Sequence, residues 1–173
     1  GDEKLFKVVG TNDQGSSGVE AALDVEYIMG VAPGVLTEFW GYQQQDFCGD
    51  LQKFSQKILD TEDAPNVFSI SYGWQGDLSE LGCQDSEVQA VDVNFQKLAA
   101  RGVSMIIASG DTGAGFTPGE HLGQQGRLWP SWPASSPWVT AVGATRFINQ
   151  DPSQDEQASD QFGSGGGFSK DFD

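Results

Sequence analysis

The sequence has few basic residues, and that shortage argues against two classes of partner. Nine Lys and Arg stand against 25 Asp and Glu, which gives a formal net charge of −16. Nucleic acids and anionic membrane surfaces are bound through clustered Lys and Arg, so neither partner is expected. The self-repulsion of such a chain relaxes when its carboxylates are protonated. An acidic working compartment is one explanation of the charge, and a merely soluble acidic surface is the other.

Histidine and cysteine are also sparse. With one histidine and two cysteines, the chain has no plausible zinc set. Cys48 and Cys83 allow one disulfide or two free thiols, and their spacing does not decide between these states. A bridge would be worth about 3–4 kcal/mol in the chain-entropy model. The single His121 lies in a predicted loop with no strand-to-helix serine elbow near it, so a Ser-His-Asp triad is not indicated.

Long apolar runs are absent, and no membrane-spanning segment is therefore expected. The first residues, Gly-Asp-Glu-Lys, have neither a basic start nor an apolar stretch, so no signal peptide is visible. Hydrophobic residues nevertheless make up 38% of the chain and aromatic residues 11%. That composition is typical of a globular chain with a core, and the length predicts one domain over residues 1–173.

Short β-type runs alternate with amphipathic stretches along the chain. Predicted helices cover residues 18–29, 50–59 and 86–101. Predicted strands cover residues 4–9, 35–42, 67–72, 103–108 and 138–142. Polar, acidic residues 149–161 are predicted to form an exposed loop. Repeated strand-helix-strand units indicate an α/β fold with a doubly wound parallel sheet, whose functional groups gather at the carboxyl ends of the strands.

Two carboxylates stand one helical turn apart near the N-terminus. Glu20 and Asp24 lie on the same face of a predicted helix, and a partly buried pair of this kind can share and relay a proton. That property suits general acid-base work at low pH. The alternative is structural, because Ser17 and Glu20 have the S-x-x-E spacing of a capping box.

A third acid follows a predicted buried strand. Asp111 stands in Ala-Ser-Gly-Asp-Thr-Gly-Ala-Gly, where a protonated carboxyl could donate a hydrogen bond to a developing oxyanion. A simple turn explains the same residues equally well. Asp111-Thr112-Gly113 also has the form found in aspartic peptidases. Those enzymes need two aspartates that share a proton, whereas this triplet occurs once.

Five segments resemble the sedolisin, or serine-carboxyl peptidase, family in sequence and in order. They are GVEAALDVEYIMGVAPG (18–34), SISYGW (69–74), AARGVSMIIASGDTGAG (99–115), WPASSPWVTAVGAT (132–145) and SGGGFS (164–169). Five motifs in register over nearly the whole chain make chance improbable. The resemblance implies a subtilisin-like α/β fold and cleavage of peptides at acidic pH, in a lysosome-like vesicle or after secretion.

The resemblance also implies roles for individual residues. Glu20 matches the base that takes the proton from a serine hydroxyl, and Asp24 matches the acid that orients and couples to that base. Asp111 matches the aspartate that stabilises the tetrahedral oxyanion together with a backbone amide. The substrate-binding residues are expected to be Ser71, Tyr72, Gly73, Ser109 and Gly110.

The chain departs from the family pattern in lacking the nucleophile. The family's serine lies in a Ser-Gly-Thr-Ser motif downstream of the SGGGFS segment, and no such motif occurs here. A base and an oxyanion stabiliser without a nucleophile cannot perform acyl transfer. We therefore expect residues 1–173 to be the N-terminal portion of a single peptidase domain. The fold would be incomplete without the C-terminal part, and this chain would contain no second domain.

A two-chain enzyme follows from that expectation. A heavy chain would supply the Ser-Gly-Thr-Ser nucleophile, the calcium site that the family builds after that serine, and the rest of the core. This chain would hold no cofactor of its own, and its substrates would be peptides. The alternative is a catalytically inactive fragment with a binding or storage role. Whether an active enzyme would remove tripeptides or cut internally stays open.

Overall fold

The structure, a computed structural model, describes residues 4–12, 18–42, 46–115 and 126–169. The helices are α1 (Val19–Val31), α2 (Phe47–Leu59) and α3 (Asp85–Ala100). The strands are β1 (Lys7–Gly10), β2 (Glu38–Gly41), β3 (Val67–Ile70), β4 (Ser104–Ala108), β5 (Thr140–Val142), β6 (Thr145–Phe147) and β7 (Glu156–Ala158). The predicted helices and strands are present, with their ends shifted by a few residues. No helix in the described ranges is long and apolar enough to cross a membrane.

The parallel strands form two sheets. β1 pairs with β2, and β3, β4 and β5 make a three-stranded sheet in that order. The α/β character with parallel strands is confirmed, but the described strands do not join into the single doubly wound sheet that the sequence predicts. Side chains connect the two sheets instead of a hydrogen-bonded ladder. The Trp40 ring of β2 stands edge-on to Phe68 of β3, with ring centroids 5.3 Å apart.

The core lies where α2 and α3 pack against each other and against the three-stranded sheet. On α3 the apolar residues that recur at three- and four-residue steps are all buried: Val88, Val91, Phe95 and Leu98. Met105 and Ile107 of β4 complete the same cluster. A buried polar contact fixes the two helices in register, since the Asn94 side-chain amide donates to Ser55 Oγ over 3.0 Å. We expect this helix pair to be the most rigid part of the chain.

Both ends of α3 follow their sequence signals. At the start, the side chain of Glu87 accepts a hydrogen bond from the backbone N–H of Gln84 over 2.8 Å. At the end, Gly102 has a φ of +82°, a left-handed conformation that glycine adopts without steric cost. The chain can therefore reverse within a few residues and enter β4 antiparallel to the helix.

A disulfide joins Cys48 on α2 to Cys83 just before α3. Of the two states that the sequence left open, the structure has the bridge. Both cysteines are buried, and their Cα atoms lie 5.6 Å apart. The two cysteines are separated by 35 residues along the chain, and the loop that they enclose contains β3. The bridge therefore restrains the segment that carries this strand.

α1 differs from the other two helices because none of its residues is buried. Val19, Leu23, Tyr27 and Val31 follow one another at four-residue steps, and their exposed fractions are 88%, 47%, 67% and 81%. Residues four apart line one side of a helix. α1 consequently presents an apolar stripe to solvent, which on a folded protein usually marks an interaction surface.

The prediction of an exposed loop over residues 149–161 is only partly correct. β7 lies inside that range and pairs antiparallel with β6, in the register Thr145↔Ala158. This strand lacks an alternation of apolar and polar residues, because both faces of the hairpin are largely solvent-exposed, and so it was not predicted. A bidentate ion pair stabilises the hairpin, since Arg146 donates to both carboxylate oxygens of Asp160.

We expect this ion pair to give the hairpin a small, acid-sensitive stabilisation. The hydrogen bond from Arg146 holds the pKa of Asp160 below its usual range. A lowered pKa in the folded state means that the stabilisation is complete above the unfolded value of about 4 and is lost as pH falls through the folded value. Asp160→Asn should therefore lower Tm slightly near neutral pH and leave it unchanged in strong acid. Asp155→Asn, a substitution of a neighbouring exposed acid, is the control. A Tm difference between Asp160→Asn and the parent protein that did not vary with pH would contradict the prediction.

Candidate active site

The two acids predicted to form the catalytic base lie in the first two turns of α1, one turn apart. The N-cap of α1 is Gly18, so Glu20 is the second residue of the helix. The capping-box alternative depends on Ser17, which lies outside the described residues. Glu20 is exposed and Asp24 is half-buried. The first acid is consequently accessible to another molecule, while the second is held closer to the protein.

Asp24 is tied to the carboxyl end of β3. The hydroxyl of Ser71 donates a hydrogen bond of 2.7 Å to Asp24 Oδ1, and the contact is partly buried. The two residues are 47 positions apart, so the fold alone brings them together. Ser71, Tyr72 and Gly73 leave β3 at this point, and Tyr72 and Gly73 are exposed. The segment predicted to line the substrate therefore begins next to the predicted acid pair.

Asp111 follows β4 by three residues and is exposed. Ser109 continues the strand direction, because its N–H donates to the Val142 carbonyl of β5 over 3.0 Å. Gly110 then turns the chain with a φ of +102°. The hydroxyl of Ser109 is buried, and no hydrogen-bond partner for it occurs among the described residues. The predicted site residues after β4 thus form a tight turn, and Asp111 lies beyond the end of the strand with an exposed side chain.

Gln75 was not among the predicted site residues, yet it holds the Asp111 turn. Its side-chain oxygen accepts hydrogen bonds from the backbone N–H groups of Asp111 and Thr112, over 3.0 and 3.1 Å, and from Thr112 Oγ1 over 2.8 Å. A lone glutamine in a loop carries no sequence signal. Its partners lie 36 and 37 residues away, so only the tertiary structure could show the contact.

The glycine-rich segment at residues 163–167 packs over the same turn. The N–H of Gly165 donates to the Gly110 carbonyl over 2.8 Å. A Cβ atom at Gly165 would stand 1.8 Å from the Ser109 carbonyl oxygen, so only glycine fits at this distance. Ser164 Oγ accepts a 2.9 Å hydrogen bond from the N–H of Ala144 and fixes the segment to the end of β5. The SGGGFS segment, one of the five that resemble the family, thus packs against the Asp111 turn.

Together these contacts attach Asp24 and the Asp111 turn to the two ends of one short segment, residues 71–75. In acid-base chemistry a carboxylate can accept a proton, and a protonated carboxyl can donate a hydrogen bond. Within the described ranges, no three His, Cys, Asp or Glu side chains cluster as a metal site would require. His121 lies outside those ranges.

Comparison with known proteins finds relatives in sequence and a solved structure of similar fold. No protein-family model matches the chain. Tripeptidyl-peptidase 1 of Mus musculus is 40% identical over 97% of this chain, and the proteins of Canis lupus familiaris and Homo sapiens are 38% and 37% identical over the same share. The chain spans 28% of the length of each of these relatives.

A solved structure shows the fold. Pseudomonas sedolisin, a serine-carboxyl proteinase complexed with two molecules of pseudo-iodotyrostatin, matches 97% of this chain and 50% of its own with a TM-score of 0.64. The sequence identity is 24%, so this likeness concerns the fold alone. The α/β arrangement described above is accordingly that of the subtilisin-like fold. The chain is therefore similar in sequence to part of tripeptidyl-peptidase 1 and similar in fold to part of sedolisin.

Proposed function

We propose that this chain is one part of an acid-acting serine peptidase of the sedolisin class. In this proposal Glu20 is the base, Asp24 supports it, and Asp111 stabilises the oxyanion. The observation that carries the proposal is the link between the acids: Ser71 binds Asp24, and four residues later Gln75 binds the Asp111 turn. Contacts of one short segment with both Asp24 and the Asp111 turn support the proposal that these acids belong to one site.

The proposed reaction is acyl transfer to a serine on another polypeptide segment. Glu20 takes the proton of the serine hydroxyl as its oxygen attacks the peptide carbonyl. Protonated Asp111 donates a hydrogen bond to the oxyanion of the tetrahedral intermediate. When the C–N bond breaks, the proton held by Glu20 passes to the leaving amine. Water then attacks the acyl-enzyme with Glu20 again as base, which releases the acid product and restores the serine.

Acidic conditions suit this division of roles. A carboxyl group donates a hydrogen bond only while it is protonated, so the proposed oxyanion donor is populated in acid. The formal charge of −16 also causes less self-repulsion when carboxylates are neutral. We therefore propose an acidic vesicle, or secretion into an acidic medium, as the place of action.

A second segment that contains Ser-Gly-Thr-Ser completes the proposed enzyme. The chain spans 28% of the length of its curated relatives. The apolar stripe of α1, Val19 to Val31 at four-residue steps, is exposed beside Glu20 and Asp24 on the same helix. A segment that covered the stripe would lie next to the proposed base. The same segment would carry the calcium site.

The test is to purify the chain natively and to assay it with whatever accompanies it. Peptide sequencing should find a serine-bearing polypeptide in about equal amount. The complex should hydrolyse peptides between about pH 3 and about pH 7, with the highest rate on the acidic side, and pepstatin should not inhibit it. A substrate with a free N-terminal tripeptide and an internally quenched peptide would distinguish exopeptidase from endopeptidase action.

Two outcomes would overturn the proposal. Activity that pepstatin abolished would favour an aspartic mechanism through Asp111, Thr112 and Gly113. A folded chain that co-purified with no serine-bearing polypeptide and hydrolysed no peptide at any pH would favour the inactive fragment with a binding or storage role.

A further inference from the structure

Gln75 joins three separate segments through a single side-chain amide. Its oxygen receives three hydrogen bonds from Asp111 and Thr112, as described above. Its nitrogen donates to the Gly113 carbonyl over 3.0 Å and to the Trp129 carbonyl over 3.4 Å. The side chain is half-buried, and a Cβ atom on Gly110 would lie 2.4 Å from its oxygen. The amide therefore lies directly against the backbone of the turn.

These bonds engage three successive backbone donors of the turn. The N–H groups of Asp111 and Thr112 donate to Gln75, and the N–H of Gly113 donates to the Gly163 carbonyl over 2.8 Å. Three successive backbone donors that pointed outward could bind an anion by themselves. Because all three are engaged internally, these N–H groups are not offered to an oxyanion, and the exposed Asp111 carboxyl is the donor that the proposal uses.

We infer that Gln75 is a positioning residue that fixes the Asp111 carboxyl for the reaction. The inference rests on the proposed function, since it assigns to Gln75 a role through Asp111. An exposed side chain gains little orientation from packing, so the backbone below it has to be rigid if the carboxyl is to meet a developing oxyanion. Gln75 supplies that rigidity by fixing the peptide groups on both sides of Asp111 and the carbonyl two residues later.

Gln75→Leu should lower kcat of the assembled enzyme and leave KM almost unchanged. A misplacement of about 1 Å in a reacting group can cost on the order of 100-fold in rate, so we expect a loss of roughly 10- to 100-fold. The rate should be referred to folded enzyme, counted from the amplitude of its thermal unfolding transition. Gln89→Leu, on the exposed side of α3, is the matched control and should behave as the parent enzyme.

Gln75→Glu tests the same role through the pH profile. While it is protonated, the new carboxyl can accept from the Asp111 turn with one oxygen and donate to the Gly113 carbonyl with the other. When it ionises, the donor is lost and negative charge faces the Gly113 and Trp129 carbonyls. We expect nearly normal kcat in acid and a fall toward neutral pH that is steeper than in the parent enzyme. Gln89→Glu should leave the profile unchanged.

Asp111→Ala, which removes the proposed donor, separates failure of this inference from failure of the proposed function. If Asp111→Ala keeps full activity, the proposed function is wrong. If it loses activity, Gln75→Leu should cost much less in the Asp111→Ala background than alone, because coupled residues are not additive. Equal losses in the two backgrounds, or a Gln75→Leu enzyme with normal kcat, would overturn the role of Gln75 and leave the proposed function standing.

Discussion

Glu20→Gln is expected to lower kcat of the proposed peptidase by roughly 10²- to 10⁴-fold, the usual contribution of a general base. Glutamine has the shape of glutamate but cannot accept the serine proton. Glu20 is exposed at the start of α1, and none of that helix is buried, so the substitution should leave folding unaffected. The measurement is kcat across the acidic range, together with Tm.

The control for this prediction lies on the same helix. Glu26 is also exposed on α1, and Glu26→Gln removes the same charge without touching the proposed base. It should retain normal kcat. Asp24→Asn should cost activity as well, because Asp24 is bound by Ser71 and is proposed to orient Glu20. Undiminished turnover by Glu20→Gln would refute the role assigned to Glu20.

Loss of the disulfide is expected to produce the largest change in stability. Cys48 and Cys83 are 35 residues apart, and closing a loop of that length lowers the entropy of the unfolded chain by an amount worth about 4 kcal/mol. Both sulfurs lie in the core against α2 and α3, so the bridge also restrains the two helices that carry most of the packing. Urea unfolding of oxidised and reduced protein would measure the difference.

Two comparisons isolate the effect of the bond. The Cys48→Ala/Cys83→Ala double variant removes the bond and also two buried sulfur atoms, so it should be somewhat less stable than the reduced protein. The reduced protein retains those atoms and reports the bond alone. If oxidised and reduced protein unfold at the same urea concentration, the bridge does not contribute the stability that its loop length predicts.

The helices and parallel strands were predictable because their signals are local. The steps from Val88 to Leu98 indicate a helix face, and the apolar run in β4 indicates a buried strand, whatever the rest of the chain does. The missed strand β7 shows the limit of such signals. Its residues are polar on both sides, and its pairing with β6 is decided by a register across the hairpin and by the contact between Arg146 and Asp160.

The arrangement of sheets shows a similar limit. Sequence periodicity identifies strands but does not fix which strands share a ladder. Here β1 and β2 pair with each other, and Trp40 packs its ring against Phe68 where a continuous sheet was expected. That outcome depends on side-chain volumes between elements that are distant in sequence.

The same distinction between local sequence signals and tertiary contacts applies to the candidate site. By itself the sequence determined the acidic composition, the α/β class, the family resemblance and the three acids Glu20, Asp24 and Asp111, since each is a matter of residue type and local spacing. Only the tertiary structure decided that Cys48 and Cys83 are bonded, that Ser71 binds Asp24 and that Gln75 holds the Asp111 turn. These contacts join residues 35 to 47 positions apart, and no local pattern specifies which polar groups meet once the chain has folded.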